Sequence, residues 1–303
     1  MTYLSKYLES LRNEYDLGIN QGFVNTHLDG VRFFWGENPI ESGAMVYPSG
    51  IVIIGQGKKV GHFGTETFTY DENNFLIVSV TTPFECTTFA SKEEPLLGIS
   101  IEVDIADLSE IATTLKSIDD KSFKKAELVQ GVLPMPISED MHITIERLLK
   151  CLTSASESKV IGKPLVKEVL YRVLQSKHGS ALYALTNENT APTRVAKVVD
   201  YIRQNYQSKM TVESLASFAS MSETTFYRAF KSLTGHSPLQ YVKKIRLSRA
   251  RSLIVHDGVK ANVAAYEVGY DNPSQFSREF KRFFHVTPAK AKGKGYADID
   301  VWH

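Results

Sequence analysis

Hydrophobic residues change their spacing several times along this chain, and each change marks a new kind of element. Near the start, Leu4, Tyr7, Leu8 and Leu11 recur at three- and four-residue intervals, which predicts a short amphipathic helix over residues 2–15. Residues 18–41 are mixed, with VRFFW (31–35) reading as a strand. From Ala44 the apolar positions come in short blocks broken by turn residues: MVYPSGIVIIGQG, KKVGHFG, ETFTYDENN, FLIVSVTTPFECTTF and PLLGISIEV. These predict successive strands of a small antiparallel barrel or sandwich, and DENN (71–74) is the clearest turn. From Asp104 the spacing becomes helical again in DIADLSEIATTLKS, SEDMHITIERLLKCLTS and PLVKEVLYRVLQS. The second of these carries Met141, Ile145, Leu148, Leu149 and Leu152 on one face, and the third Leu165, Val166, Val169, Leu170 and Val173. A stripe says only that something covers it, so these two read equally as core against the barrel or as a dimer interface. TNENTAPT (186–193) is polar and reads as a linker; residues 194–206 are the next helix.

Beyond the linker, one short pattern occurs twice. SETTFYRAFKSLTGHSP begins at Ser222 and NPSQFSREFKRFFHVTP at Asn272; Phe226, Arg228, Phe230, Lys231 and Pro238 recur as Phe276, Arg278, Phe280, Lys281 and Pro288, a constant offset of 50. Internal repetition of this kind fixes an architecture. Ser222 and Asn272 suit helix N-caps, and Pro273 suits a first helical position. Phe226, Phe230 and Leu233, like Phe276, Phe280 and Phe283, make one apolar stripe per helix. At 100° per residue, Thr224, Tyr227, Arg228 and Lys231 fall opposite the first stripe, and Ser274, Ser277, Arg278 and Lys281 opposite the second. Gln275 lies nearer the edge of that face. Ahead of each copy a short helical run ends in a turn (211–221 and 262–270), where Ala216 and Ala265 permit a close helix crossing and Gly269 suits a positive φ. The pattern is two helices joined by a tight turn, twice. Residues 238–256 join the units; as a helix they would span about 28 Å, which suits two recognition helices about one DNA turn, roughly 34 Å, apart.

Charge sharpens this. The 303 residues carry a net charge of only +1, but residues 193–296 hold 18 Lys and Arg against 7 Asp and Glu, while the remainder holds 17 against 27. A basic module joined to an acidic one argues for a polyanion partner on one side only. The alternative, a merely solvated basic surface, is disfavoured because the charge coincides with a motif that uses it. Cys86 and Cys151 make no disulfide framework, no apolar run approaches membrane-spanning length, and the N-terminus is polar and amphipathic; a cytoplasmic protein with no membrane partner is the expectation.

Through LASFASMSETTFYRAFKSLTG, SPLQYVKKIRLSRARSLI and AAYEVGYDNPSQFSREFKRFFHVTP, the C-terminal hundred residues resemble the DNA-binding domain of AraC/XylS transcription regulators. IIGQGKKVGHFGTETFTYDENNFLIVSV and EEPLLGISIEVD resemble the AraC-type N-terminal module. The resemblance implies an α+β chain: a cupin-like antiparallel β-barrel plus helices as a regulatory domain (1–185), a linker (186–193), and an all-α domain with two helix-turn-helix motifs (194–296). It implies sequence-specific binding to double-stranded DNA in the major groove, a small-molecule effector, effector sensing or dimerisation by the N-terminal domain, and RNA polymerase as partner if the protein is an activator. Two departures stand out. Ser220 occupies the first turn where the family has Gly, which predicts some strain, and AKAKGK after Pro288 replaces a tyrosine–arginine ending, which predicts a frayed last helix.

Other signals carry less. GQGKK (55–59) lacks phosphate-loop spacing and reads as a hairpin turn. His27 and His62 form no His-x-His cluster, so no metal and no cofactor is expected. Cys86 reads as a small buried side chain rather than a sensor, because the sequence shows no basic neighbour for it. A cupin-type enzyme with a nucleic-acid-binding tail is the rival function; neither a metal cluster nor a Ser/His/Asp or Cys/His arrangement supports it, so no catalytic residue is assigned.

Overall fold

The computed structural model describes residues 3–15, 21–118, 131–176, 179–187 and 190–291. After α1 (Tyr3–Glu14) the chain forms β1 (Gln21–Asn25), β2 (Val31–Gly36), β3 (Ile40–Tyr47), β4 (Gly50–Gln56), β5 (Lys58–Phe63), β6 (Glu66–Tyr70), β7 (Asn74–Val78), β8 (Thr82–Phe89) and β9 (Leu96–Glu102). Then come α2 (Ile105–Ile118), β10 (Val132–Pro136), α3 (Glu139–Leu152), α4 (Ala155–Gln175) and α5 (Gly179–Thr186). The strands make two antiparallel sheets, ordered β1-β2-β9-β4-β7-β10 and β3-β8-β5-β6. This is the α+β arrangement expected, with nine strands in succession behind α1 and a tenth set among the helices.

The sequence reads differently in the two sheets because their surroundings differ. In β4, Val52 and Ile54 join the core between the sheets, whereas Ile51 and Ile53 belong to the core under the helices. In β7, Leu76 and Val78 face one core, and Phe75 and Ile77 the other. Strands covered on both faces need apolar residues at every position. β5, by contrast, alternates between exposed or half-buried and buried residues along KKVGHF.

Four strand expectations are corrected. MVYPSGIVIIGQG is not one strand but β3 and β4, turned at Pro48 and Ser49 and lying in different sheets, and FLIVSVTTPFECTTF likewise divides into β7 and β8. GQGKK is not a hairpin: β4 and β5 do not pair, and Gly57 (φ +82°) carries the chain from one sheet to the other. A Cβ there would lie 3.0 Å from the Leu96 Cα. β10 was not expected at all. Pro134 and Pro136 argue against a strand, but among the described residues β10 pairs only with β7, at the sheet's edge, where a missing N–H interrupts no ladder.

The two apolar stripes face inward. Met141, Ile145, Leu148, Leu149 and Leu152 of α3, and Leu165, Val169, Leu170 and Val173 of α4, are buried in the core that includes the helix-facing side of the larger sheet. This removes them as a dimer interface; the exposed apolar residues on this side are Ile143, Val160, Ile161 and Tyr171. α4 starts nine residues before Pro164, with Ser154 as N-cap accepting from the Glu157 N–H, so Pro164 lies inside the helix. Among the described residues, no helix is long and apolar enough to cross a membrane.

The C-terminal half is helical: α6 (Ala191–Asn205), α7 (Val212–Phe218), α8 (Glu223–Thr234), α9 (Pro238–Val255), α10 (Ala261–Glu267), α11 (Pro273–Phe284) and α12 (Pro288–Ala291). The charged run after Ala291 and the expected boundary at 296 lie outside the described residues. The segment expected as a linker (186–193) includes the last residue of α5 and the first turn of α6, where the Thr193 hydroxyl lies 2.9 Å from the Ala184 carbonyl and 2.8 Å from that of Asn187.

Candidate nucleic-acid interface

The two repeats share most of their local chemistry. α7 opens with a capping box between Thr211 and Ser214, whereas the equivalent α10 has no side-chain cap bond at Lys260. At α8, Ser222 Oγ accepts from the Thr225 N–H, and at α11 Asn272 Oδ1 accepts from the N–H groups of Ser274 (2.8 Å) and Gln275 (3.1 Å). Such caps contribute about 1 kcal/mol each. The turns close identically: Met221 N–H bonds the Ala216 carbonyl, and Tyr270 N–H bonds that of Ala265. Ala216 and Ala265 are buried at the helix crossings. Ser220 has φ 52° and Gly269 φ 84°, so the first turn does hold a non-glycine residue in the left-handed region. Arg194 Nη1 donates to the Ser220 carbonyl at 3.2 Å.

Phe226, Phe230 and Leu233 are buried, as are Phe276, Phe280 and Phe284. Phe283 is only partly buried; Phe284 occupies the core place expected for it. On the opposite faces, Thr224, Tyr227, Arg228 and Lys231, and Ser274, Gln275, Ser277, Arg278 and Lys281, are all exposed. The acid next to Arg278 on the same helix is engaged by other groups. Glu279 accepts from Lys243 Nζ (2.9 Å), the Tyr270 hydroxyl (2.8 Å) and Gln275 Nε2 (3.3 Å). Burial pushes the Glu279 carboxyl up, but those bonds outweigh it and hold it below its ordinary value. Gln275 is therefore tied to its own helix, which its sequence neighbourhood did not show.

Three tethering residues had no signal in the sequence. Arg246 of α9 donates to the carbonyls of Tyr206 (2.7 Å), Ser208 (2.9 Å) and Gly269 (3.0 Å), bracing the second turn. Tyr241, fully buried on the same helix, donates to the Thr81 carbonyl at 2.7 Å. His236 Nε2 lies 2.6 Å from the Pro83 carbonyl. A carbonyl only accepts, so that nitrogen carries the proton. Burial and the nearby Lys244 ammonium lower the His236 pKa to about 4, leaving the ring neutral at pH 7. The first repeat and α9 thus rest on the sheets through backbone carbonyls at the start of β8.

A family model described as "AraC-type transcriptional regulator N-terminus" matches residues 27–181, and one described as "Helix-turn-helix domain" matches 215–293. This chain belongs to the AraC-type transcriptional regulators. Among its curated relatives are the lactose operon transcription activator of Staphylococcus xylosus (29% identical over 152 residues, 48% of this chain and 53% of that one) and HptR of Staphylococcus aureus strain NCTC 8325 (27% over 199 residues, 63% and 73%). The probable transcriptional regulator LumQ of Photobacterium leiognathi is 29% identical over 126 residues, 42% of this chain and 51% of that one. The matches to the first and third thus span about half of those relatives. The solved structure of ToxT from Vibrio cholerae superposes with a TM-score of 0.60 at 14% identity, over 86% of this chain and 96% of ToxT, and shares the fold. The two matches place a helix-turn-helix domain behind an AraC-type regulator N-terminus, and the relatives are named as a transcription activator and as transcriptional regulators.

In the N-terminal module of this AraC-type regulator, His27 pairs with Glu14 and His62 with Thr67, on different elements. Among the described residues, no group of three or more His, Cys, Asp or Glu is placed to hold a metal ion. Cys86 does have a basic neighbour, contrary to expectation. Lys59 is buried in the adjacent strand, its ammonium 2.7 Å from the Tyr47 hydroxyl, and Cys86 Sγ lies 3.5 Å and 3.4 Å from the hydroxyls of Tyr47 and Tyr70. Burial pushes the thiol up, and Lys59 and the hydroxyls only partly offset it. The side chain is inaccessible and mostly protonated at neutral pH, which suits a packing role.

Proposed function

We propose that this protein regulates transcription by laying α8 and α11 in successive major grooves of one duplex, with Thr224, Tyr227, Arg228, Lys231, Ser274, Gln275, Ser277, Arg278 and Lys281 as its contact residues. Arg228 and Arg278 read guanine through O6 and N7. The observation that carries this reading is the equivalent exposure of Arg228 and Arg278 opposite two buried phenylalanine stripes. α9, 18 residues long, spaces the two units by about 27 Å. The division of labour is a regulatory unit over residues 1–185, a junction over 186–193 and a DNA-binding unit over 194–296.

The regulatory unit responds to a small-molecule effector. The support is the fold shared with ToxT, one structure of which is described as bound to an unsaturated fatty acid (TM-score 0.59, 12% identity, 88% and 96% covered). Any homodimer would use the exposed Val160 and Ile161, and as an activator the protein would meet RNA polymerase while bound.

The test uses the full chain and its selected operator. Arg228→Ala and Arg278→Ala should each weaken operator binding by about 1–3 kcal/mol, relax preference at positions about one turn apart, and leave binding to random duplex nearly unchanged. Affinity should also fall steeply with salt. Equal losses on both kinds of DNA, with folding intact, would make the arginines phosphate anchors and end the base-reading assignment.

A further inference from the structure

A cavity of about 340 Å³ lies at the seam between the two halves of the molecule, outside the space between the sheets. Its walls come from both sides. The barrel contributes Ser49 and the β7–β8 segment with Ser79, Val80 and Thr81; α2 contributes Ile105 and Ser109, and α5 contributes Leu185. α6, the first helix of the C-terminal half, contributes Thr193, Ala196 and Val199. A pocket built jointly by a sensor and its output domain is placed so that an occupant affects how the two fit together.

Thr81 gives the pocket a second, independent mark. It is only 2% exposed, yet its Oγ1 has no hydrogen-bond partner among the described residues. Buried hydroxyls are nearly always paired, and an exception needs a reason. A ligand hydroxyl or carbonyl supplies one. The backbone carbonyl of the same residue accepts the Tyr241 hydroxyl of α9. A molecule bonded to Thr81 Oγ1 therefore sits one residue-length from the pin that holds the spacer between the recognition helices.

The lining also sets the ligand's class. The apolar walls are Val80, Ile105, Leu185, Ala196 and Val199, with no aromatic ring to stack on. The polar groups inside are hydroxyls. The charged lining residues, Lys197 and Asp200, are opposite in sign, exposed, and three residues apart on α6. Asp200 is already paired with Arg203 at 3.7 Å, so these rim charges do not cancel; a charged ligand is disfavoured because its charged group, placed among the hydroxyls and apolar walls, would lose its hydration with no ion beside it. We infer that this seam cavity is an effector site for a small uncharged aliphatic molecule carrying a hydroxyl or carbonyl group, and that its occupancy is transmitted through Thr81 and Tyr241 to α9. The inference rests on the regulator reading above and adds where the effector binds and what it is.

The experiment titrates hexanamide into the full chain, with ¹³C-labelled Ile, Leu and Val methyl groups followed by NMR. Saturable shifts of Ile105, Leu185 and Val199 are expected. Thr81→Val, which keeps the shape and removes the hydroxyl, should weaken binding at least fivefold. Ala196→Leu, which fills the cavity, should abolish it. Hexanoate and benzamide should bind at least tenfold more weakly. Saturating hexanamide should change duplex-DNA affinity at least threefold in the natural chain and not in Ala196→Leu. Shifts that do not saturate, or that both variants leave intact, would overturn the site. Equal binding of hexanoate or benzamide would overturn the ligand class, and unchanged DNA affinity the coupling. DNA binding without hexanamide, measured on the same sample, separates the two readings: if it is present and the shifts are absent, only this inference fails.

Discussion

In the first repeat, Phe226, Phe230 and Leu233 belong to the same core as α1, α3, α4 and one face of the larger sheet. In the second, Phe276, Phe280 and Phe284 close a separate cluster with α9 and α10, whose member from the barrel is Ala44. The motif is duplicated but its connections are not. The same swap appears in the backbone. Four residues of the two units take left-handed geometry: Ser220 and Gly235 in the first, Gly269 and His285 in the second. Glycine stands where a side chain has no room. A Cβ at 269 would lie 2.4 Å from the Gln207 carbonyl oxygen, and one at 235 would lie 2.9 Å from the Phe63 ring. Repeated sequence thus fixes the local unit, while neighbours decide which of its positions are intolerant. It also follows that an event in the barrel reaches the first unit through shared packing and the second chiefly through α9.

Core truncation should separate the repeats most clearly. Phe226→Ala and Phe276→Ala should each cost about 3–5 kcal/mol. By calorimetry, Phe226→Ala should lower the transition of the whole chain, whereas Phe276→Ala should split off an early transition confined to residues near 261–291. Identical single transitions would mean the two cores are one cooperative unit.

The glycine swap gives the next effect. Gly269→Ala should cost about 1–3 kcal/mol, because left-handed strain adds to a clash with backbone that cannot move aside. Gly235→Ala should cost less, since the Phe63 ring can shift. Ser220→Gly should stabilise by about 1 kcal/mol. Denaturant midpoints would check all three, and a destabilising Ser220→Gly would show that the serine side chain has a role in the turn.

The docking contacts give the smallest effects. Tyr241→Phe should cost about 1 kcal/mol, since Thr81 loses its donor. His236 has a folded pKa near 4, below its unfolded value of about 6.5, so protons bind the unfolded state first. The stability it contributes is complete above about pH 6.5 and is lost as pH falls towards 4. The melting temperature of the natural chain should therefore drop over that window more than that of His236→Gln. Equal pH profiles would mean that the ring is not held neutral.

Much of this was legible because it is encoded locally. The phenylalanine spacing, the N-caps at Ser222 and Asn272, the positive φ at Gly269 and the bare faces around Arg228 and Arg278 each depend on a dozen neighbouring residues. What was not legible depends on distant ones. β10 hides behind two prolines that only an edge position tolerates. α4 runs through Pro164, which the sequence offered as a beginning. The α3 and α4 stripes were ambiguous until the sheet that covers them was known. Lys59 stands beside Cys86 only through sheet register, and Tyr241 meets Thr81 across 160 positions of sequence. Gln275 lies at the edge of the outward face in the sequence pattern, and only the fold shows its Nε2 3.3 Å from Glu279 Oε1.

α9 and a DNA duplex are two screws of different pitch. A residue inserted into α9 would turn everything beyond it by about 100° and advance it by about 1.5 Å. A base pair inserted into the target turns it by about 35° and advances it by about 3.4 Å. No whole number of base pairs compensates for one added residue, since matching the rotation overshoots the advance several-fold. Substitutions along α9 can therefore accumulate on its outer side, while a single-residue insertion or deletion would leave both reading heads intact and out of phase with each other.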